Sequence, residues 1–347
     1  MYLCLQLVLG RQKCLTQFRV GRRVGRFPLR TQNDPIATFF IQAAFLRNFG
    51  IIGFQDFQSL YSEIRNIGAY MNVQIINVQN VTDSLSVVFG VHNSYNGTIY
   101  NASMVGCNIS NIYTNAGSLI GLQQNSSVLI VNTTILQTNI TGLNAVGGLL
   151  GYQYINSVLT VNNSSIVITN IFGIGNGIGG IVGSGYSSGS FKLYNLSLSQ
   201  IIIKGKVQVG GYCGVLYKDS NILIYNSSIT NVNISDQNSA GGVIGWIDSA
   251  NLTIIDSSVS LVSIVTTSAY NGGVVGNLQK GNIQITNSIL KTIKQTFKGS
   301  EKGFISSVSG GAKFIITTSS ATGIFFNNVV QPDCASLTNT WSNRQCT

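Results

Sequence analysis

A right-handed parallel β-solenoid with three strands in each coil of ~31 residues is the fold this sequence predicts. Three observations lead there. First, a phrase of two glycines, two apolar residues and a glycine recurs: Gly147-Gly148-Leu149-Leu150-Gly151, Gly179-Gly180-Ile181-Val182-Gly183, Gly210-Gly211-Tyr212-Cys213-Gly214, Gly241-Gly242-Val243-Ile244-Gly245 and Gly272-Gly273-Val274-Val275-Gly276. Its last glycines fall ~31 residues apart, a solenoid period. Second, each phrase is followed by a run alternating with period two, which marks a strand: Val128/Ile130, Leu159/Val161, Phe191/Leu193, Ile222/Ile224, Leu252/Ile254 and Ile283/Ile285. Third, a polar residue returns once per repeat: Asn101, Asn132, Asn163, Asn195, Asn226, Asp256, Asn287 and Thr318. A β-propeller fits poorly, because its blades need four strands and usually ~40 residues or more.

The chain divides in order. Residues 1–47 are arginine-rich and lack the repeat, so they read as a basic leader or non-repeat segment. Residues 48–83 read as an N-terminal cap or degenerate coil, with Gly50-Ile51-Ile52-Gly53 as a worn copy of the phrase. The apolar runs Ile36 to Phe49 and Phe54 to Ile67 suit a short helical cap over the open end of the sheet. Residues 84–321 hold the regular repeats, including weaker copies of the phrase at Val88-Phe89-Gly90, Ser118-Leu119-Ile120-Gly121 and Gly303-Phe304-Ile305-Ser306. Residues 322–347 form a C-terminal tail bracketed by Cys334 and Cys346, an expected disulfide in an oxidising compartment. Cys107 and Cys213 fall inside the repeat and read as small buried hydrophobes.

Within each repeat the phrase makes the first run and the alternating segment the second. A third run carries Met104, Ile135, Ile166, Leu198, Ile229, Val259 and Leu290, followed five residues later by Ile109, Ile140, Ile171, Ile203, Ile234 and Ile264. The phrase glycines suit positive φ or close backbone approach. Counted by twos from the alternating run, the asparagine row falls on the inward side. Stacked ~4.8 Å apart, its amides would bond one another there. Small hydroxyl residues usually follow it, as in Asn132-Thr133-Thr134 and Asn226-Ser227-Ser228.

Charged residues make up only 9% of the chain, against ~25% in ordinary soluble domains. The net charge of +10 owes much to Arg11, Lys13, Arg19, Arg22, Arg23, Arg26 and Arg30. The repeats are nearly neutral, so no nucleic-acid partner is expected. No stretch reaches the ~20 apolar residues of a membrane helix.

Catalytic signals are sparse, and neither catalytic residues, metal ligands nor a cofactor are expected. His92, the one histidine, reads as a surface residue in a turn. Lys218, Asp219, Asp248 and Lys280 fall at similar places after their anchor glycines, so paired carboxylates for glycosidic cleavage are conceivable, although a solvated charge row explains them as well. Tyr194 and Tyr225 stand just before the asparagine row in consecutive coils, where a flat pair would suit a sugar face.

Asn-x-Ser/Thr sequons are dense. Asn108, Asn139 and Asn233 precede an inward isoleucine and are expected outside, as are Asn125 and Asn251 in the turn before the second strand. Sugars are expected at these five, and none at the ladder sequons.

The phrase Gly241-Gly242-Val243-Ile244-Gly245, with Ile254-Ile255-Asp256-Ser257-Ser258 behind it, resembles the GLUG-motif repeats of large bacterial and protist surface proteins. The ending, Asp333-Cys334-Ala335-Ser336-Leu337-Thr338-Asn339 then Trp341-Ser342, is similar to repeat proteins of some flagellated protists. The likeness covers about residues 84 to 346 and implies an extracellular or cell-surface, adhesion-like role without catalytic residues. The expected function is therefore a non-enzymatic surface repeat protein that contacts glycans or proteins. A polysaccharide lyase or hydrolase on a β-helix is the alternative.

Overall fold

A computed structural model describes residues 115–296 almost continuously (168 and 268–269 excepted), together with shorter stretches between 97 and 327; elsewhere it gives only the backbone of individual strands. The chain is a parallel β-solenoid of about 7 turns. Among the described residues there is no helix.

Each coil has three sides. In one representative coil the phrase supplies side one as Val146–Gly147 and Leu150–Tyr154. Val158–Asn162 is side two, and Ser165–Val167 with Asn170–Gly173 is side three. Sides one and two belong to one large sheet and side three to another. Equivalent residues stack in parallel register, so the expected row Ile135, Ile166, Leu198, Ile229, Val259 forms, each at most 2% exposed. Ile140, Ile171, Ile203, Ile234 and Ile264 make a second buried row.

The glycine phrase exists for proximity. No glycine of its five full copies has positive φ. A methyl group on Gly210 would overlap the carbonyl oxygen of Cys213, and one on Gly211 would overlap that of Gly242 in the next coil. On Gly214 it would run into the backbone of Gly177 and Ile178. The phrase thus folds side one back on itself and presses successive coils together, leaving no space for a Cβ.

Positive φ occurs instead at the corners, on residues other than glycine. Asn132, Asn163, Asn195, Asn226, Asp256 and Asn287 all have φ between 46° and 51°. This overturns their expected inward placement. Period-two counting holds only while the backbone is extended, and a left-handed residue breaks it. Asn132, Asn163, Asn195, Asn226 and Asn287 are exposed, Asp256 is half-buried, and the residue after each is buried: Thr133, Ser164, Leu196, Ser227, Ser257, Ser288. The amides do stack, but on the outside. Asn195 Nδ2 donates to Asn163 Oδ1 at 2.9 Å, Asn226 Nδ2 to Asn195 Oδ1 at 2.6 Å, and Asn287 Nδ2 to Asp256 Oδ1 at 2.5 Å. Each donates to the coil before, so Asp256 accepts but has no hydrogen to pass to Asn226. The side chains of Asn101 and Thr318 lie outside the described residues.

The inward polar row is made of hydroxyls. Past the corner, the amide of Leu196 faces the next coil where no carbonyl is aimed at it, and Ser227 Oγ accepts it at 3.0 Å. The same bond joins Thr133 to Ser164, Ser227 to Ser257, Ser257 to Ser288, and Ser288 to Ser319, at 3.0 to 3.1 Å. Each hydroxyl then donates within its own coil, as Ser227 Oγ does to the carbonyl of Tyr225 at 2.8 Å. The amides of Thr133, Leu196, Ser227, Ser257 and Ser288, which a buried turn would otherwise orphan, are satisfied in this way.

At the N-terminal end the expected helical cap is corrected. Ala37–Phe40 and Ser62–Arg65, inside the two runs in question, are strands. Ladder pairing with the following coil (Ala37 with Met71, Ser62 with Gly97) decides their state over local propensity. Ile52 stands in register with Phe89, and Phe89 with Ile120, as a worn copy of the phrase should.

Gly211→Ala is expected to destabilise the protein by on the order of 1–3 kcal/mol, the range for forcing extra volume into a packed interior. Denaturant melts measure this; an unchanged midpoint would mean that the coils are not in backbone contact there.

Candidate functional site

The outer surface of side one carries an aromatic ladder. Tyr154, Tyr186 and Tyr217 each stand three residues after the last glycine of their phrase, in consecutive coils. Register places Tyr154 beside Tyr186, and Tyr217 beside Asp248 and then Lys280. Tyr152, on the same strand and outer surface as Tyr154, belongs to a second row that runs on through Ser184, Val215, Trp246 and Asn277.

The rings touch in series. Tyr152 and Tyr154 are near-parallel with centroids 6.0 Å apart, and Tyr154 and Tyr186 near-parallel at 5.7 Å. Tyr217 meets Tyr186 edge-on at 5.9 Å. All four are half-buried. The faces of Tyr152, Tyr154 and Tyr186 are thus turned toward one another. Lys218 closes one face of Tyr186, its Nζ 4.6 Å from the ring centroid. The Tyr186 hydroxyl beside it raises the Lys218 ammonium above its usual range. Burial, reinforced by the neighbouring phenols, pushes Tyr152 up to about 12. Tyr217 is also raised, chiefly by burial, while its hydrogen bond from Gln208 pulls the other way.

The floor beside the ladder is closed by backbone. Ser184 and Val215 are buried although they point away from the core, because Gly177 lies against both. In the next coil Gln208 occupies the left-handed position with φ 61°. Its Nε2 donates to the Tyr217 hydroxyl at 3.0 Å. Its Oε1, like the Trp246 Nε1, is buried with no hydrogen-bond partner. One acceptor and one donor thus stand unused along the ladder.

The charged residues singled out in the sequence border this ladder without forming a carboxylate pair in one row. Asp248 lies in register with Tyr217 and Lys280, whereas Asp219 is in the corner beyond, exposed at φ 61° with its amide bonded to the Ser249 carbonyl at 2.6 Å. Asp248 Oδ1 accepts from Ser249 Oγ at 3.0 Å. Tyr194 and Tyr225 meet at an interplanar angle of 64°, so they make an edge contact and not the flat pair expected. His92 belongs to the strand Phe89–Asn93, in register with Gln123, and not to a turn; its side chain lies outside the described residues. Among the described residues no three His, Cys, Asp or Glu side chains are grouped to hold a metal ion.

Of the expected glycan positions, Asn125, Asn139 and Asn233 are exposed. Asn251 is partly buried, its amide donating to Asn221 at 2.8 Å. Asn108 is in register with Asn139, but its side chain lies outside the described residues, as do Cys107, Cys334 and Cys346. Because Asn132, Asn163, Asn195 and Asn226 are also exposed, burial does not separate them from the other sequons, and that ground for sorting is withdrawn. Cys213 is buried, which raises its thiol strongly.

The sequence reading missed the Tyr152, Tyr154, Tyr186, Tyr217 ladder. The signal was present as a tyrosine three places after the glycine in three successive repeats. Gln208 carried none, because only the fold brings it to Tyr217.

One buried carboxyl lies away from the ladder. Asp236, where side three returns to the phrase, is 4% exposed, with Gln237 N–H donating to Oδ1 at 2.6 Å and Oδ2 unpartnered. Burial pushes it up to about 7, against the pull of the Gln237, Asn238 and Ser239 amides. An unfolded Asp titrates near ~3.9, so the folded state binds more protons between the two values. Stability contributed by this group is full at low pH and is lost as pH rises toward 7. Melts of wild type and Asp236→Asn across this window are expected to show that the variant removes the decline and is the more stable protein at pH 7 and above. Parallel pH profiles would show that folding does not raise the Asp236 carboxyl.

Comparison with protein-family models, with curated proteins and with solved structures finds no significant match.

Proposed function

We propose that this chain is a non-enzymatic surface repeat protein with an adhesion-like role, and that it contacts glycans along the Tyr152–Tyr154–Tyr186–Tyr217 ladder. The ladder is the observation that carries the reading. It sets phenol rings at coil spacing, with the Lys218 ammonium and the Asp248 carboxylate beside them. A polyhydroxylated chain offers donors and acceptors at a similar repeat and matches amphipathic rings better than a purely apolar ligand does. The low charge, the sequons and the likeness to GLUG-motif repeats support an exposed, exported role.

The test is binding of the full chain to arrayed neutral and acidic glycans. Wild type is expected to retain at least one glycan class, and Tyr154→Ala with Tyr186→Ala to lose it by at least ~10-fold at unchanged fold, about 1.4 kcal/mol of binding. Binding that ignores the double variant would move the site elsewhere. Release of reducing ends, abolished by Asp219→Asn with Asp248→Asn, would establish the lyase or hydrolase alternative instead.

A further inference from the structure

Side three has a different outer surface. Of the eight large hydrophobic residues exposed on the described chain, five belong to side three or its far edge: Ile174, Ile202, Leu261, Val265 and Ile289. Lys204, Lys206, Lys291 and Lys294 are exposed among them. Described residues of this side contribute no exposed carboxylate. Asp236 is buried, and Asp256, half-buried at the corner that opens the side, is engaged by Asn287.

The apolar and basic groups interleave. Register runs Ile202, Asn233, Ser263, Lys294 in one row and Lys204, Ser235, Val265, Thr296 in the next. Three coil steps separate Ile202 from Lys294, roughly 14 Å. Leu261 is notable for its backbone. It has φ 53° and is 53% exposed. Left-handed conformation is unfavourable for leucine, and its side chain contributes little to the core, so neither folding nor packing accounts for a leucine there.

We propose that side three is a docking surface for an anionic lipid membrane, with the lysines against headgroup phosphates or carboxylates and Leu261, Val265, Ile202 and Ile289 entering the headgroup–acyl boundary. Charge complementarity selects an anionic partner. The exposed aliphatic side chains select lipid among anionic partners, because a sulfated polysaccharide or a nucleic-acid backbone gives them nothing to bury in. This surface is on a different side from the tyrosine ladder, so the inference stands apart from the glycan reading. It also bears on Asn233, which lies between Ile202 and Ser263 in the row. A sugar there would hold the face off the bilayer, so membrane docking and glycosylation of Asn233 exclude each other.

The test uses the full chain made without glycosylation, sedimented with phosphatidylcholine vesicles containing or lacking phosphatidylserine. Binding is expected only with phosphatidylserine and is expected to weaken as salt rises. Each lysine near the surface contributes about 5-fold to partitioning, so Lys204→Gln, Lys291→Gln and Lys294→Gln together should lower it on the order of 100-fold. Leu261→Ser with Val265→Ser should also lower it, while Lys192→Gln on side two should leave it unchanged. Absence of vesicle binding, equal binding to neutral vesicles, insensitivity to the lysine or apolar variants, or capture by heparin without capture by vesicles would each overturn the proposal.

Discussion

The corner after side two is where the structure is most constrained. A left-handed residue turns the chain there, and the next amide faces the following coil without a backbone acceptor. In Leu196, Ser227, Ser257 and Ser288 that amide is taken by a hydroxyl one coil further on. A buried N–H left without a partner costs roughly 1–3 kcal/mol, so these bonds fix where each coil sits on the next. A hydroxyl inside takes up the amide of the coil before it, and a residue tolerant of positive φ stands immediately ahead; Leu196 fills the inward place of its coil without a hydroxyl. The Asn-Ser pairing along the chain is the sequence form of that arrangement.

On side one the same pitch is enforced differently. Gly210, Gly211 and Gly214 lie against backbone of their own and neighbouring coils, at distances no side chain permits. A polar bond at one corner and glycine contact on the opposite side hold the coils parallel, and the aliphatic rows between them, such as Ile166, Leu198 and Ile229, fill the interior. The scarcity of charge follows. Outer rows repeat at coil spacing, where like charges would repel, whereas amides, hydroxyls and aromatic rings can bond or stack with their own kind. Asn195 on Asn163 and Tyr154 on Tyr186 are the same solution in two chemistries.

Much of the fold was legible because extended strands preserve period two. The rows through Ile229 and through Ile222 could be counted directly, and they stack as counted. Counting failed at Asn226, where a single left-handed residue moves the side chain outside and hands the inward place to Ser227. Both readings contain the same repeated Asn-Ser, and only backbone dihedrals separate them. The tyrosine ladder shows the other limit. Tyr154, Tyr186 and Tyr217 were visible as repeats, but Gln208 and Gly177 join them through the fold-back of side one, which no spacing encodes. The aliphatic and basic surface of side three was hidden for a similar reason, since Leu261 is a left-handed residue within the strand Ser258–Thr266, where period-two counting breaks.

The hydroxyl row is most directly tested by native-state hydrogen exchange of individual amides. If the corner amides of Leu196, Ser227, Ser257 and Ser288 are held by the next coil, they exchange only with global unfolding, as slowly as Ile229 and Val259 in the neighbouring strands. Exchange at these four amides at the rate of ordinary exposed turns, while the strands stay protected, would contradict the row and the inward placement of the serines.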